Sequence, residues 1–276
     1  NGISVSRSLL LIGLLVFVCG ALTLWLSGVN TSISVMHGRH TFPIMLGSSM
    51  IIFAIFQLFI TSRRLHLGIL ACLLGLGAGI QAEAQNDFRR SWTASKDFFS
   101  QLNFRIPDLE SGTILVIDYD VASWDIIEPV HYDFGVPLNY LYSDKFIPDD
   151  LQYWAMLNND RYERGTSNLS EELQKRFSVR VRNVKFEVVG RQVLVVTYHT
   201  NGCLRVLNKN SDYSHTTGAH LEELAQYSDV SLVKEKSIVS TNDRKLMYVN
   251  SSPKTWCHFF QKADLANQFG RWEETE

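Results

Sequence analysis

The chain has 276 residues, 46% of them hydrophobic and 20% charged, and its 26 Lys and Arg against 28 Asp and Glu give a formal net charge of -2. Such averages match an ordinary globular protein, and basic residues dispersed among acids exclude a nucleic-acid-binding surface. They hide a division: residues 1–80 hold only Arg7, Arg39, Arg63 and Arg64 and no acid, while residues 81–276 hold all 28 acids and the other 22 basic residues.

Three uncharged runs fill the first part. Ser8 to Gly38 contains "LLLIGLLVFVCGALTLWL", Thr41 to Ser62 is centred on "IMLGSSMIIFAIFQLFI", and Leu65 to Ala82 reads "LHLGILACLLGLGAGIQA". Each supplies the roughly 17–25 residues that a helix needs to cross about 30 Å of hydrocarbon, and a helix satisfies its own backbone groups inside lipid. Residues 1–82 are therefore expected to form three transmembrane helices, at about 8–27, 43–61 and 65–82. Because two more spans follow it, the first run reads as an uncleaved helix rather than a secretory signal. A start at Asn1 rather than Met suits either a fragment with more spans upstream or a processed chain.

The short connections carry an orientation signal. The Thr61–Arg64 link places Arg63 and Arg64 against two helix ends, with Arg7 on the same side, whereas the 28–42 connection has only Arg39 beside His37 and His40. The positive-inside rule puts the arginine pair in the cytoplasm, so residues from about 83 onward are expected outside it, on a plasma (inner) membrane protein. The expected partners are the lipid bilayer and further transmembrane helices of the same or another chain. Gly75 and Gly79 lie four apart, which suits either close helix packing or glycine tolerated near a helix end. With no acid or base in mid-membrane, these spans offer no proton relay or ion path.

Residues 83–276 are expected to fold as one extracytoplasmic α+β domain with an antiparallel sheet, truncated at its C-terminal end. In "DFRRSWTASKDFFSQLNFRIPDL", Trp92, Phe98, Phe99, Leu102 and Phe104 approximate a helical stripe that Pro107 stops. Gly112 opens the strand "GTILVIDYD". Pro148 and Asp149 are read as the start of a helix over 149–158. From Phe177 the alternation of Val179 and Val181 with Arg180 and Arg182, a turn near Gly190, "QVLVVTYHT" and the Asn201-Gly202 pair predict an antiparallel meander of at least three strands. "GAHLEELAQYSD" is a predicted helix. The last helix, after Pro253, carries Trp256, Phe259, Phe260, Ala263, Ala266 and Phe269 as an apolar face, to be covered by the domain or by a following helix.

Chemistry-bearing candidates are few. Asp118 and Asp120, two apart beyond a strand, are the residue types that share a divalent ion, but strand alternation would point them to opposite faces, and capping of the strand end or a solvated loop is the alternative reading. His199, His215, His220 and His258 lack the i, i+4 spacing of helical zinc ligands. No nucleophile elbow, thiol–base pair or Gly-rich phosphate loop is present. No catalytic residue and no cofactor are assigned. In "NYLYSDKFIPDDLQYW", Tyr140, Tyr142, Tyr153 and Trp154 suit either sugar stacking or core packing. Cys19 and Cys72 fall in spans, and Cys203 and Cys257 are either a disulfide or two thiols. Asn30, Asn168 and Asn250 begin N-x-S/T triplets.

"WTASKDFFSQLNFRIPDLESGTILV", "GVPLNYLYS" and "TWCHFFQKADLANQFGRWEE", behind apolar helices, resemble the C-terminal part of large bacterial polytopic membrane proteins, mostly uncharacterised, that are sometimes compared with lipid-linked-sugar glycosyltransferases. The resemblance covers roughly residues 40–272, with the Trp-Cys and Lys-Ala-Asp-Leu-Ala run as its distinctive part. It implies further chain after the last helix and transfers no catalytic residue. Such transferases usually keep an essential acid in the first outer loop, to assist attack on a polyprenyl-phosphate sugar; here no acid precedes Glu83. Two functions remain. One is a non-catalytic extracytoplasmic interaction or shielding module of a cell-envelope membrane protein. The other is the outer domain of a polyprenyl-phosphate-sugar-dependent glycosyltransferase whose catalytic half lies upstream, with a polyprenyl-linked sugar as partner.

Overall fold

The computed structural model describes residues 2–27, 42–60, 62–119, 131–143, 151–158, 177–181, 184–188, 192–199, 202–210, 219–235, 255–271 and 273. The chain divides into two compact units, Asn1–Arg89 and Arg90–Glu276. Helices α1 (Gly2–Ser27), α2 (Phe42–Phe59) and α3 (Arg63–Arg105) are long and apolar enough to cross a membrane, and the chain is a polytopic membrane protein. Third span and following amphipathic stretch, read separately from the sequence, are one helix: "AEAQND" between them holds no Gly or Pro to interrupt the backbone ladder.

Close backbone approach holds α1 and α2 together. A Cβ on Gly47 would lie 2.5 to 2.8 Å from the Phe17 backbone and Cβ, and Gly13 and Gly20 meet Ile51 and Pro43 at 3.1 and 3.0 Å by the same measure. Small residues thus let two helices gain dispersion contacts that lipid would otherwise make. The Ser6 hydroxyl donates to Gln57 Oε1 at 2.9 Å across the pair, while Thr23 and Ser48 return their hydroxyls to carbonyls one turn back. Gly75 and Gly79 differ: nothing lies within 4 Å of a Cβ on either, so the described residues put no helix against them.

The second unit is built on a four-stranded mixed sheet. Its strands are β2 (Ile114–Tyr119), β3 (Trp154–Asn158), β6 (Val193–Tyr198) and β7 (Arg205–Val206), in the order β3-β2-β6-β7. The first three are parallel, and only β7 runs antiparallel. Strands β4 (Phe177–Val181) and β5 (Val184–Val188) form a separate antiparallel hairpin, and β1 (Asp108–Leu109) pairs with β8 (Val233–Lys234). The unit is therefore α+β with an antiparallel hairpin, but the expected meander does not form: β6 pairs with β2 and β7 rather than β5. The region expected as a helix over 149–158 contains β3. Its run "WAML" is short and largely buried, as a strand in a sheet covered on both faces requires, and its parallel pairing with β2 at the edge of the sheet overrides helix propensity.

Both faces of the sheet are covered. Leu115, Ile117, Leu194 and Val196 pack with Phe98, Phe99 and Leu102 of α3 and with Leu138 and Leu141 of α4 (His131–Tyr142). Ile114, Val116, Val193 and Val195 pack with Trp154, with Phe186 of the hairpin, and with Leu221 and Leu224 of α5 (Ala219–Ala225). Buried Asn139 joins α4 to the entry of β3: its Oδ1 accepts from the Gln152 and Tyr153 amides at 2.7 and 3.0 Å, and its Nδ2 donates to the Gly135 and Tyr153 carbonyls, both at 2.7 Å. One amide side chain thereby satisfies backbone groups at the entry of β3.

The glycine contrast is directly testable. Gly47→Leu should lower the thermal midpoint of the detergent-solubilised chain through about 1–3 kcal/mol of overpacking, since the atoms it meets are backbone. Gly75→Leu should leave that midpoint unchanged, and equal destabilisation by both would refute the assigned contact.

Candidate functional sites

Helix α6 (Trp256–Gln268) defines the first site. Its Cys257 is disulfide-bonded to Cys203, with the Cα atoms 5.1 Å apart. One turn on, buried Gln261 donates from Nε2 to the Leu204 carbonyl at 2.5 Å, while Gln101 of α3 accepts the Leu204 amide at 2.8 Å. A further turn on, Asp264 Oδ2 accepts from Arg105 Nε at 2.5 Å, and Gln268 Oε1 accepts from Arg105 Nη1 at 2.8 Å. Gln268 also donates to the Val230 carbonyl at 2.9 Å. These residues recur every three or four positions, so one face of the helix is fastened to the domain largely by polar contacts, with Leu265 and Ala266 buried beside them.

This docking bears out part of the expected apolar face, since Ala266 is buried and Phe269 packs against the core, and corrects the rest. Trp256 and Phe259 point outward, 76% and 54% exposed, because the inward positions belong to Cys257, Gln261, Asp264 and Gln268. His258 packs edge-on against Phe104 of α3 with ring centroids 4.4 Å apart, and extends the aromatic surface. The disulfide also bears on the preceding connection. Gly202 lacks positive φ and its amide bonds to His199 O at 2.9 Å, so β6 and β7 are joined over 199–204 rather than by a two-residue primed turn.

A second site lies at the carboxyl ends of the parallel strands. Asp118 is in register with Asn158 of β3 and Thr197 of β6. The Thr197 hydroxyl lies 3.4 Å from Asp118 Oδ2 and 3.2 Å from His199 Nε2. Parallel sheets bind ligands at such ends, where the chain passes to opposite sides of a central strand. The order of groups is wrong for a nucleophilic triad: the hydroxyl stands between carboxylate and imidazole, so Asp118 does not orient His199. Asp120 lies outside the described residues, among which no three His, Cys, Asp or Glu side chains gather to hold a metal.

The aromatic candidates for sugar stacking are largely core. Tyr142 and Tyr153 are 3% exposed and donate their hydroxyls to the Ile106 and Leu109 carbonyls at 2.9 and 3.0 Å. Trp154 stacks on Phe186 with centroids 5.9 Å apart. Their ring faces are occupied, which corrects the stacking expectation; Tyr140 is half-buried against the same core. His215, Asn30, Asn168 and Asn250 lie outside the described residues.

Arg105 and its partners on α6 were missed from the sequence although signals existed. Arg105 continues the stripe Phe98, Leu102 at helical spacing, and a cation on a buried stripe calls for a partner. The partners sit in the three-four pattern Cys257, Gln261, Asp264, Gln268.

Comparison of the chain with family models, with curated proteins and with solved structures gave no match.

Two measurements follow from this geometry. The side chain of Arg105 is 4% exposed and that of Asp264 34%. Removing the acid therefore takes a carboxylate from a buried cation, whereas removing the cation leaves a carboxylate that water reaches. Asp264→Ala should destabilise the domain by about 3 kcal/mol, and Arg105→Met by less; denaturant unfolding gives the order, and the reverse order would contradict it. The second concerns alkaline pH. Burial, then the hydrogen bond and the charge of Asp97, raise the Tyr198 phenol above its ordinary value, and burial followed by the charge of Asp108 raises Tyr142. The folded state holds both protons more tightly, so this stability is complete below about pH 10 and is lost as pH rises towards the folded values. Melting temperature should fall above pH 10, and fall less steeply in Tyr198→Phe.

Proposed function

We propose that the polar unit is a non-catalytic interaction or shielding module, carried outside the cytoplasm by a polytopic membrane protein of the cell envelope. The observation that carries this reading is the exposed Trp256 and Phe259 pair on a helix fastened by a disulfide. Large aromatic side chains held rigidly at a surface suit protein recognition, because they bury much area at little entropic cost. A disulfide suits the oxidising side of the membrane, in agreement with Arg63 and Arg64 at the junction of α2 and α3. The Asp118, Thr197 and His199 group serves as a polar cap of the sheet edge in this reading.

Both parts are tested in intact cells. With Cys19→Ser and Cys72→Ser as background, a membrane-impermeant maleimide should label Lys209→Cys and not Arg64→Cys; the opposite pattern would reverse the topology. A photoreactive benzophenone in place of Phe259 should give a discrete protein adduct that Trp256→Ala abolishes. An adduct with a polyprenyl lipid in its place would favour the transferase reading.

A further inference from the structure

Helix α6 also lines a cleft of about 510 Å³, with both polar and apolar walls, that neither the aromatic surface nor the group at the strand ends uses. Its wall combines Arg105 from α3, Arg205 and Asn208 from β7 and the turn after it, and Phe260, Asp264 and Asn267 from α6. The two arginines are not equivalent. Arg105 is buried and matched by Asp264. Arg205 is exposed, with its guanidinium 5.8 Å from the centroid of Phe260, and no carboxylate pairs with it among the described residues. Contact with a ring face leaves the guanidinium N–H groups for an acceptor in their plane.

The remaining groups narrow the ligand. Among the described residues, two cations and one carboxylate give these walls a formal charge of one positive unit, enough to favour a single negative charge, while Asp264 opposes a second. Asp264 commits Oδ2 to Arg105 and keeps Oδ1 as an acceptor, and the Asn267 amide offers both a donor and an acceptor at the rim. Hydroxyl groups are the natural complement of such a set, since each both donates and accepts. The volume falls within the range of about 300–1,000 Å³ typical of small-molecule sites. The geometry points to a binding site for a small monoanionic polyol, in chemical class a hexuronate or another sugar bearing one carboxylate, whose carboxylate pairs with Arg205. The site is independent of the side of the membrane on which the domain lies and of any partner at Trp256.

Calorimetric titration of the full chain in detergent, at fixed ionic strength, tests this with glucuronate, glucose and inorganic phosphate as probes. Glucuronate should bind at least tenfold more tightly than either of the others, since glucose lacks the charge and phosphate carries a charge that Asp264 opposes. Arg205→Gln should weaken glucuronate binding about tenfold at an unchanged melting temperature, with Arg205→Lys between, because lysine keeps the charge and loses the planar fork. No glucuronate binding, glucose or phosphate binding as tight as glucuronate, or Arg205→Gln binding like the unaltered chain would each overturn the assignment.

Discussion

The buried guanidinium of Arg105 is the constraint on which the polar unit turns. A cation this far from water must be matched by an anion and have its N–H groups occupied. Asp264 and Gln268, almost the whole domain away in sequence, supply such a match. Those two residues select the face of α6 that docks, and Gln261 and Cys257 fall on the same face one and two turns earlier. Everything distinctive about the surface follows. Trp256 and Phe259 face solvent because the inward positions are taken, and the cleft beside Arg205 lies where α6 meets β7.

Polar fastening of a helix has an energetic character different from apolar burial. Hydrogen bonds and ion pairs contribute modestly on net, yet an unmatched buried partner costs more than the pair gains. The arrangement therefore fixes the register of α6 more firmly than it stabilises the fold. A disulfide at the start of the same helix acts in another way, by restricting the unfolded chain over a separation of 54 residues. Together they hold a helix whose Trp256 and Phe259 are not used to dock it.

This explains which parts were legible in the sequence. The spans were, because the chemistry of lipid leaves a long acid-free signal that needs no partner. Strands β2 and β6 were, because "ILVI" and "VLVV" are short, branched and apolar. Their parallel pairing was not, since a strand buried on both faces carries no alternation from which to read its neighbours. At β4 and β5 alternation marked the strands, but their pairing with each other was not read, since the turn was placed near Gly190. Strand β3 was misread because Pro148 and Asp149 imitate a helix start, whereas pairing with β2 determines the outcome. For α6 the error came from reading aromatic residues as the inward face, although the regular polar spacing from Cys257 to Gln268 was present in the same thirteen residues.

The same reasoning separates the aromatic residues into two classes that composition cannot distinguish. Tyr142 and Tyr153 look like sugar-stacking residues in a loop-like sequence, but their hydroxyls reach the Ile106 and Leu109 carbonyls, so each ring is drawn inward by its polar end. Trp256 and Phe259 have no comparable tether. Phe259 has no polar atom on its side chain, and the indole of Trp256 remains at the surface, where water satisfies its N–H. An aromatic residue with a backbone carbonyl within reach of its hydroxyl is thus retained for the fold, and one left outside by a polar-fastened helix is available for recognition. On that criterion the outer face of α6 is the proposed recognition surface, and the tyrosines beside β3 belong to the structure that supports it.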